Sequence, residues 1–162
     1  MIIEVDNIPA KAKNTNGGQK GQIYQDIKDA ISRGITKFEL VDECYNYKYL
    51  PGYVREVMDR MIEREYIRDL WRPFCEELKE KYKNARGNSI RLDSCYIDRI
   101  TRSCYTVRKC YDEELGRNRV FVTLNIDERR IAEELKQAQK LVDTEHLEFL
   151  KKYYPAEEIL SC

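Results

Sequence analysis

This sequence is poor in the residues that usually announce a site or a linker. It has one histidine, seven glycines and four prolines in 162 residues. So little glycine and proline excludes long disordered linkers. The length then implies one domain, or two small subdomains sharing a core. No apolar run approaches the roughly 18–20 residues that a membrane helix needs, so no membrane partner is expected. The opening "MIIEVDNIPAK" has no basic segment followed by a long apolar stretch, so no secretory signal is expected. The six cysteines (Cys44, Cys75, Cys95, Cys104, Cys110 and Cys162) are then expected as thiols in a reducing cytoplasm.

No sign of charge dominates either. The formal net charge is zero, whereas a protein that coats nucleic acid usually carries a basic excess. The charge is unevenly spread, however. Lys81 to Lys109 holds eight cations against Asp93 and Asp98, a net of +6, and Asp127 to Cys162 holds nine acids against six bases, a net of −3. The two ends could pair on one folded surface, or the middle could meet phosphate or an acidic partner.

Chemistry finds few candidates. His146 stands alone in a charged C-terminal segment, with no Ser or Cys signature around it, so no catalytic residue is assigned. Cys95-x8-Cys104-x5-Cys110 lacks a zinc-knuckle spacing, so no metal is expected. "NTNGGQKGQIYQ" has glycines, a lysine and a following helix, but no hydroxyl residue after Lys20, so it departs from a phosphate-binding loop. No cofactor is expected.

The coarse pattern is α+β. Met1–Val5 reads as a short edge strand and "AKAKNTNGGQKGQ" as a loop. Ile23, Ile27, Ala30 and Ile31 make a first helix, stopped by Gly34. "ITKFELVDE" is read as a strand, with a short helix as the alternative. Leu50, Tyr53, Val54, Val57, Met58, Met61 and Ile62 form the clearest helical stripe. Trp71 and Pro73 mark a kink or restart before a helix carrying Phe74, Leu78 and Tyr82. "SIRLDSCYIDRI", "SCYTVRKCYDE" and "RVFVTLNI" read as strands. A hairpin that pairs Tyr111 with Val120, Lys109 with Val122 and Val107 with Leu124 keeps one face apolar. Asp127 caps a helix through Ile131, Leu135, Ala138 and Leu141, and another is expected from Thr144. The expected architecture is a helical N-terminal half with a short strand (1–84), then a small antiparallel sheet covered by two C-terminal helices (85–162), as one compact unit.

Two surfaces stand out as partner-binding candidates. Tyr45, Tyr47 and Tyr49 alternate, so in an extended loop they share one face. Such rings can cover a core edge, stack on bases, or serve as a contact hot spot. The second surface is a basic hairpin with Arg99, Arg102, Arg108 and Lys109. A helix-turn-helix can also be drawn, with "FELVDECYN" as first helix and "GYVREVMDRMIERE" as recognition helix. In that DNA-binding reading Lys48, Arg55 and the loop lysines Lys11, Lys13 and Lys20 meet phosphate. Glu56, Asp59 and Glu63 on the same helix oppose it.

The opening "MIIEVDNIPAKAKNTNGG", the segment "SRGITKFELVD" and the helix "YNYKYLPGYVREVMDRMI" resemble an N-terminal module of small proteins from phages and mobile elements of Gram-positive bacteria. Some of those proteins are anti-CRISPR inhibitors of the nuclease Cas9. The resemblance covers about residues 1–65 and carries no functional residue over. It implies a non-enzymatic protein in the cytoplasm of a bacterial host. Such a protein would bind a host nuclease or its ribonucleoprotein and block it by occlusion. The composition is compatible with a monomer or a dimer.

Overall fold

The computed structural model describes residues 6–8, 18–41, 45–83 and 94–153. The fold is α+β, and the chain divides into two compact units, each built from two stretches of sequence.

The first unit spans residues 1–62 and 102–126. It contains β1 (Asp6–Ile8), α1 (Gly18–Ser32), β2 (Lys37–Leu40), α2 (Leu50–Ile62), β3 (Tyr105–Asp112) and β4 (Arg117–Leu124). The strands form one sheet in the order β1-β2-β4-β3, with β1 parallel to β2 and the other pairs antiparallel. The strand expected at Met1–Val5 lies outside the described residues. The loop expected through Gln22 ends sooner, because α1 begins at Gly18. Gln and Lys favour helix, and burial of Gln22 and Ile23 anchors this first turn.

Helix α1 stops as the sequence predicts. Gly34 takes φ +72°, the Ile35 amide donates to the Ala30 carbonyl at 2.9 Å, and the Gly34 amide donates to the Ile31 carbonyl at 3.1 Å. That bond pair is a Schellman ending, which needs the left-handed residue that glycine supplies. Ile23, Ile27 and Ala30 of α1 are buried, as are Leu50, Val54, Val57, Met58, Met61 and Ile62 of α2. The two helices pack on each other, and α2 also packs on β3. The sheet contributes Phe38, Leu40, Tyr105, Val120, Val122 and Leu124, all buried and all on one face by register. Each large side chain so buried stabilises the unit by roughly 1.5–3 kcal/mol.

The hairpin differs from its expected register by two residues. Lys109, not Tyr111, faces Val120, and Tyr105 faces Leu124. The apolar face survives, because a slip of two keeps every side chain on its side. The turn sets this register. Asp112 Oδ1 accepts the Glu114 amide at 2.9 Å and the Leu115 amide at 3.1 Å, and Gly116 turns the chain at φ +66°.

The second unit spans residues 63–101 and 127–162. It contains a π-helical turn (Glu63–Ile67), α3 (Arg68–Lys81), α4 (Ser94–Arg102, whose last residue falls in the first unit) and α5 (Glu128–Tyr153). The break expected at Trp71–Pro73 comes earlier, as that π-turn, and Pro73 lies inside α3. "SIRLDSCYIDRI", expected as a strand, is helical from Ser94. Tyr96 and Ile100 are four apart, which satisfies a period of two and a helical turn alike. Ile97 and the buried Thr101 repeat that four-residue step, and the helix wins. The two helical stretches expected after Asp127 are one continuous helix. Asp127 caps it, accepting the Arg129 and Arg130 amides at 3.1 and 3.2 Å.

The core of this unit is Phe74, Leu78, Tyr82, Val142 and Leu150, with Trp71, Tyr96, Leu147 and Phe149 packed against it. Tyr82 donates to Asp143 at 2.7 Å, and Lys81 pairs with the same carboxylate at 2.9 Å. Burial pushes the Asp143 carboxyl up, but the bonds from Lys81 and Tyr82 outweigh it and hold it below its ordinary value. His146 is buried at 4% exposure, edge-on to the Tyr82 ring at 4.8 Å. Burial pushes its imidazole below the ordinary value, and Asp143 opposes this only in part. The one histidine of the chain is therefore a core residue.

Candidate interaction surface

The three tyrosines of "YNYKY" do not share a face. Asn46 makes a turn there: its side-chain oxygen accepts the Lys48 amide at 3.2 Å, and its carbonyl accepts the Tyr49 and Leu50 amides at 3.0 Å. Tyr45 and Tyr47 stay in edge-to-face contact, ring centres 6.5 Å apart, while Tyr49 turns away to Tyr53. Tyr45 is buried, with its hydroxyl bonded to Asp26, which also accepts the Gln22 amide at 3.1 Å. Tyr47 is half-buried, with the Arg117 guanidinium 4.1 Å above its ring. Tyr49 is 49% exposed, beside Tyr53 and Lys48.

The basic candidates are scattered too. Arg99 lies on α4 in the second unit, its guanidinium 6.0 Å from the Tyr96 ring. Arg102 is exposed beside the buried Tyr105, whose hydroxyl donates to Asp59 at 2.6 Å. Burial first, and then that bond, push the Tyr105 phenol well above its ordinary value. Arg108 and Lys109 are adjacent on β3 and so point to opposite faces.

The DNA-binding reading loses its geometry. Phe38–Leu40, needed for the first helix of a helix-turn-helix, lie in β2, hydrogen-bonded between β1 and β4. Among the lysines assigned to phosphate, Lys20 is on α1, paired with Glu56 at 2.8 Å and over the Tyr53 ring. Arg55 is exposed on α2, Lys48 is exposed in the turn, and Lys11 and Lys13 lie outside the described residues.

A different constellation emerges on the sheet face opposite the apolar core. Register places Lys37 and Glu39 of β2, Arg117, Arg119 and Phe121 of β4, and Arg108 and Asp112 of β3 on that face. Arg119 grips Glu39 through two bonds, 2.9 Å from Nε and 2.8 Å from Nη2, with Asp112 at 3.9 Å. Glu39 is only 4% exposed. Those bonds raise the Arg119 pKa. Phe121 is covered by two guanidinium groups, Arg108 at 5.6 Å and Arg119 at 5.1 Å from its ring centre. Arg119 occupies both carboxylates of the face. Lys37, Arg108 and Arg117 keep positive charge with no carboxylate partner among the described residues.

Sequence reasoning found Arg108 here and missed Arg117, Arg119, Phe121 and Glu39. A signal existed: Arg117, Arg119 and Phe121 alternate on β4, but the apolar set beside them drew the reading. Glu39 gave none, because its partner is 80 residues away. Guanidinium groups held over aromatic rings, with cations left unpaired by the carboxylates of the face, form a cationic surface suited to carboxylate or phosphate groups. No protein-family model, curated protein or solved structure matches this chain.

Proposed function

We propose that this chain is a non-enzymatic macromolecule-binding protein that acts by covering a surface of its partner. The observation that supports it is the Arg108–Phe121–Arg119 stack beside Arg117 on Tyr47. Pre-organised guanidinium and aromatic groups lose little entropy on contact, which is how hot spots concentrate binding energy. The specific form of the proposal draws on the resemblance of residues 1–65. In that form the partner is a bacterial defence nuclease of the CRISPR-associated type, or its ribonucleoprotein, and the chain is its inhibitor.

Plasmid interference tests this. Cells expressing Cas9 and a matching guide should regain the targeted plasmid when the chain is co-expressed. A variant with both Arg108→Glu and Arg117→Glu, folded by circular dichroism, should lose that protection. Interference that stays complete across several Cas9 orthologues would retire the inhibitor reading.

A further inference from the structure

We propose that the outer edge of β3 accepts an acidic, extended segment of a partner protein as a fifth strand. Strand β3 ends the sheet, and no described strand pairs its outer side. Which backbone groups face that side follows from one bond and the register. The Asn125 amide donates to the Cys104 carbonyl at 2.7 Å, while the Leu124 amide turns away to Thr36. Alternation along an antiparallel ladder then directs Thr106, Arg108, Cys110 and Asp112 toward β4. The bond from the Gly116 amide to the Asp112 carbonyl, 2.9 Å, agrees.

Val107, Lys109 and Tyr111 therefore turn their amides and carbonyls outward. Lys109 and Tyr111 are exposed, Tyr111 at 66%, and Val107 is intermediate. This is an open template for strand addition.

Charge selects the occupant. Arg108 and Lys109 sit in mid-strand, one on each face, and neither has a carboxylate partner among the described residues. A second copy is disfavoured. Antiparallel partners must share a face and a hydrogen-bonding edge, so two β3 edges nearest to full register pair with either Arg108 or Lys109 set against itself. Like charges directly opposite destabilise such pairs, and opposite charges stabilise them. A segment with two consecutive acids would meet both cations, one on each face. Nucleic acid would use the charges but not the outward amides.

The proposal rests on reading the chain as a binding protein. It can fail separately, because peptide binding is observed whether or not any nuclease is blocked. The probe is the peptide Thr-Val-Thr-Glu-Glu-Val-Thr-Val, titrated into the isotope-labelled full chain. The expected result is movement of the Val107, Lys109 and Tyr111 amide signals, with slowed hydrogen exchange there. Lys109→Glu should weaken binding roughly fivefold or more, since an attractive pair becomes a repulsive one. Tyr111→Pro removes one outward amide and leaves β3–β4 bonds intact. It should weaken binding by a similar factor without changing charge. A lysine-for-glutamate version of the peptide should not bind. No movement of the three amides overturns the proposal. So does loss of binding in Lys109→Glu with full binding in a folded Tyr111→Pro, which would mean that charge alone is read.

Discussion

Replacing Arg119 with methionine isolates the Glu39 contact. Methionine keeps an unbranched stem to lie on Phe121 but removes both guanidinium bonds, at 2.9 and 2.8 Å. Glu39, at 4% exposure, is left as a buried carboxylate without its partner. Breaking one side of a buried pair typically costs about 3–5 kcal/mol. One feature lowers that figure here: the Arg119 side chain is 24% exposed, so water can follow it into the gap. We expect about 2–3 kcal/mol for Arg119→Met. Glu39→Gln should cost about 1 kcal/mol, since the freed guanidinium can reach water. The double variant should lose less than the sum, by about 1–2 kcal/mol. Urea unfolding followed by far-ultraviolet circular dichroism gives these differences from the midpoints, provided the slope is unchanged. A coupling under about 0.5 kcal/mol would show that water already screens the pair, and that the arginine stack is not fixed by its buried carboxylate.

Four further outcomes follow from the same geometry. Tyr45→Phe removes the hydroxyl bonded to buried Asp26 and should lower stability by about 1–3 kcal/mol. Tyr49→Ala, at a half-exposed ring, should stay within about 0.5 kcal/mol; equal losses in thermal melts would refute the division of the tyrosine run. Gly116→Ala puts a side chain where φ is +66° and should cost about 1 kcal/mol; an unchanged melt would mean that the turn relaxes. Finally, burial depresses the His146 pKa. Its contribution is thus complete above the unfolded value near 6.5 and is lost as pH falls below it. The urea midpoint, read from the single tryptophan, Trp71, should drop between pH 6.5 and 5 in the natural protein. That slope should be flatter in His146→Phe, and equal slopes would place the imidazole in water.

Much of the local structure was legible because it depends on near neighbours. The α2 stripe, Gly34 as a helix stop, Asp127 as a cap and the strand at Lys37–Leu40 all stand where the pattern puts them. What escaped depends on distant or competing groups. Ser94–Arg102 has apolar residues four apart, a spacing that strand and helix share. The tyrosine alternation assumed an extended chain, whereas Asn46 bends it. The hairpin's apolar pattern fits two registers equally, and only the Asp112 turn chooses between them. The cationic face was least visible, since its central ion pair joins residues on strands far apart in sequence.

The interleaving of the two units also bears on synthesis. Strand β2 finds its antiparallel neighbour only when residues 121–123 have been made. The first unit needs chain up to Ile126, and the second unit needs α5, which ends at Tyr153. A ribosome therefore releases most of the protein before either core can close. Pairings this far apart fold slowly, because a long loop must be ordered first. During that interval α1, α2 and β2 emerge without β3 and β4, so the apolar surface that the completed sheet later covers stays exposed and prone to aggregate.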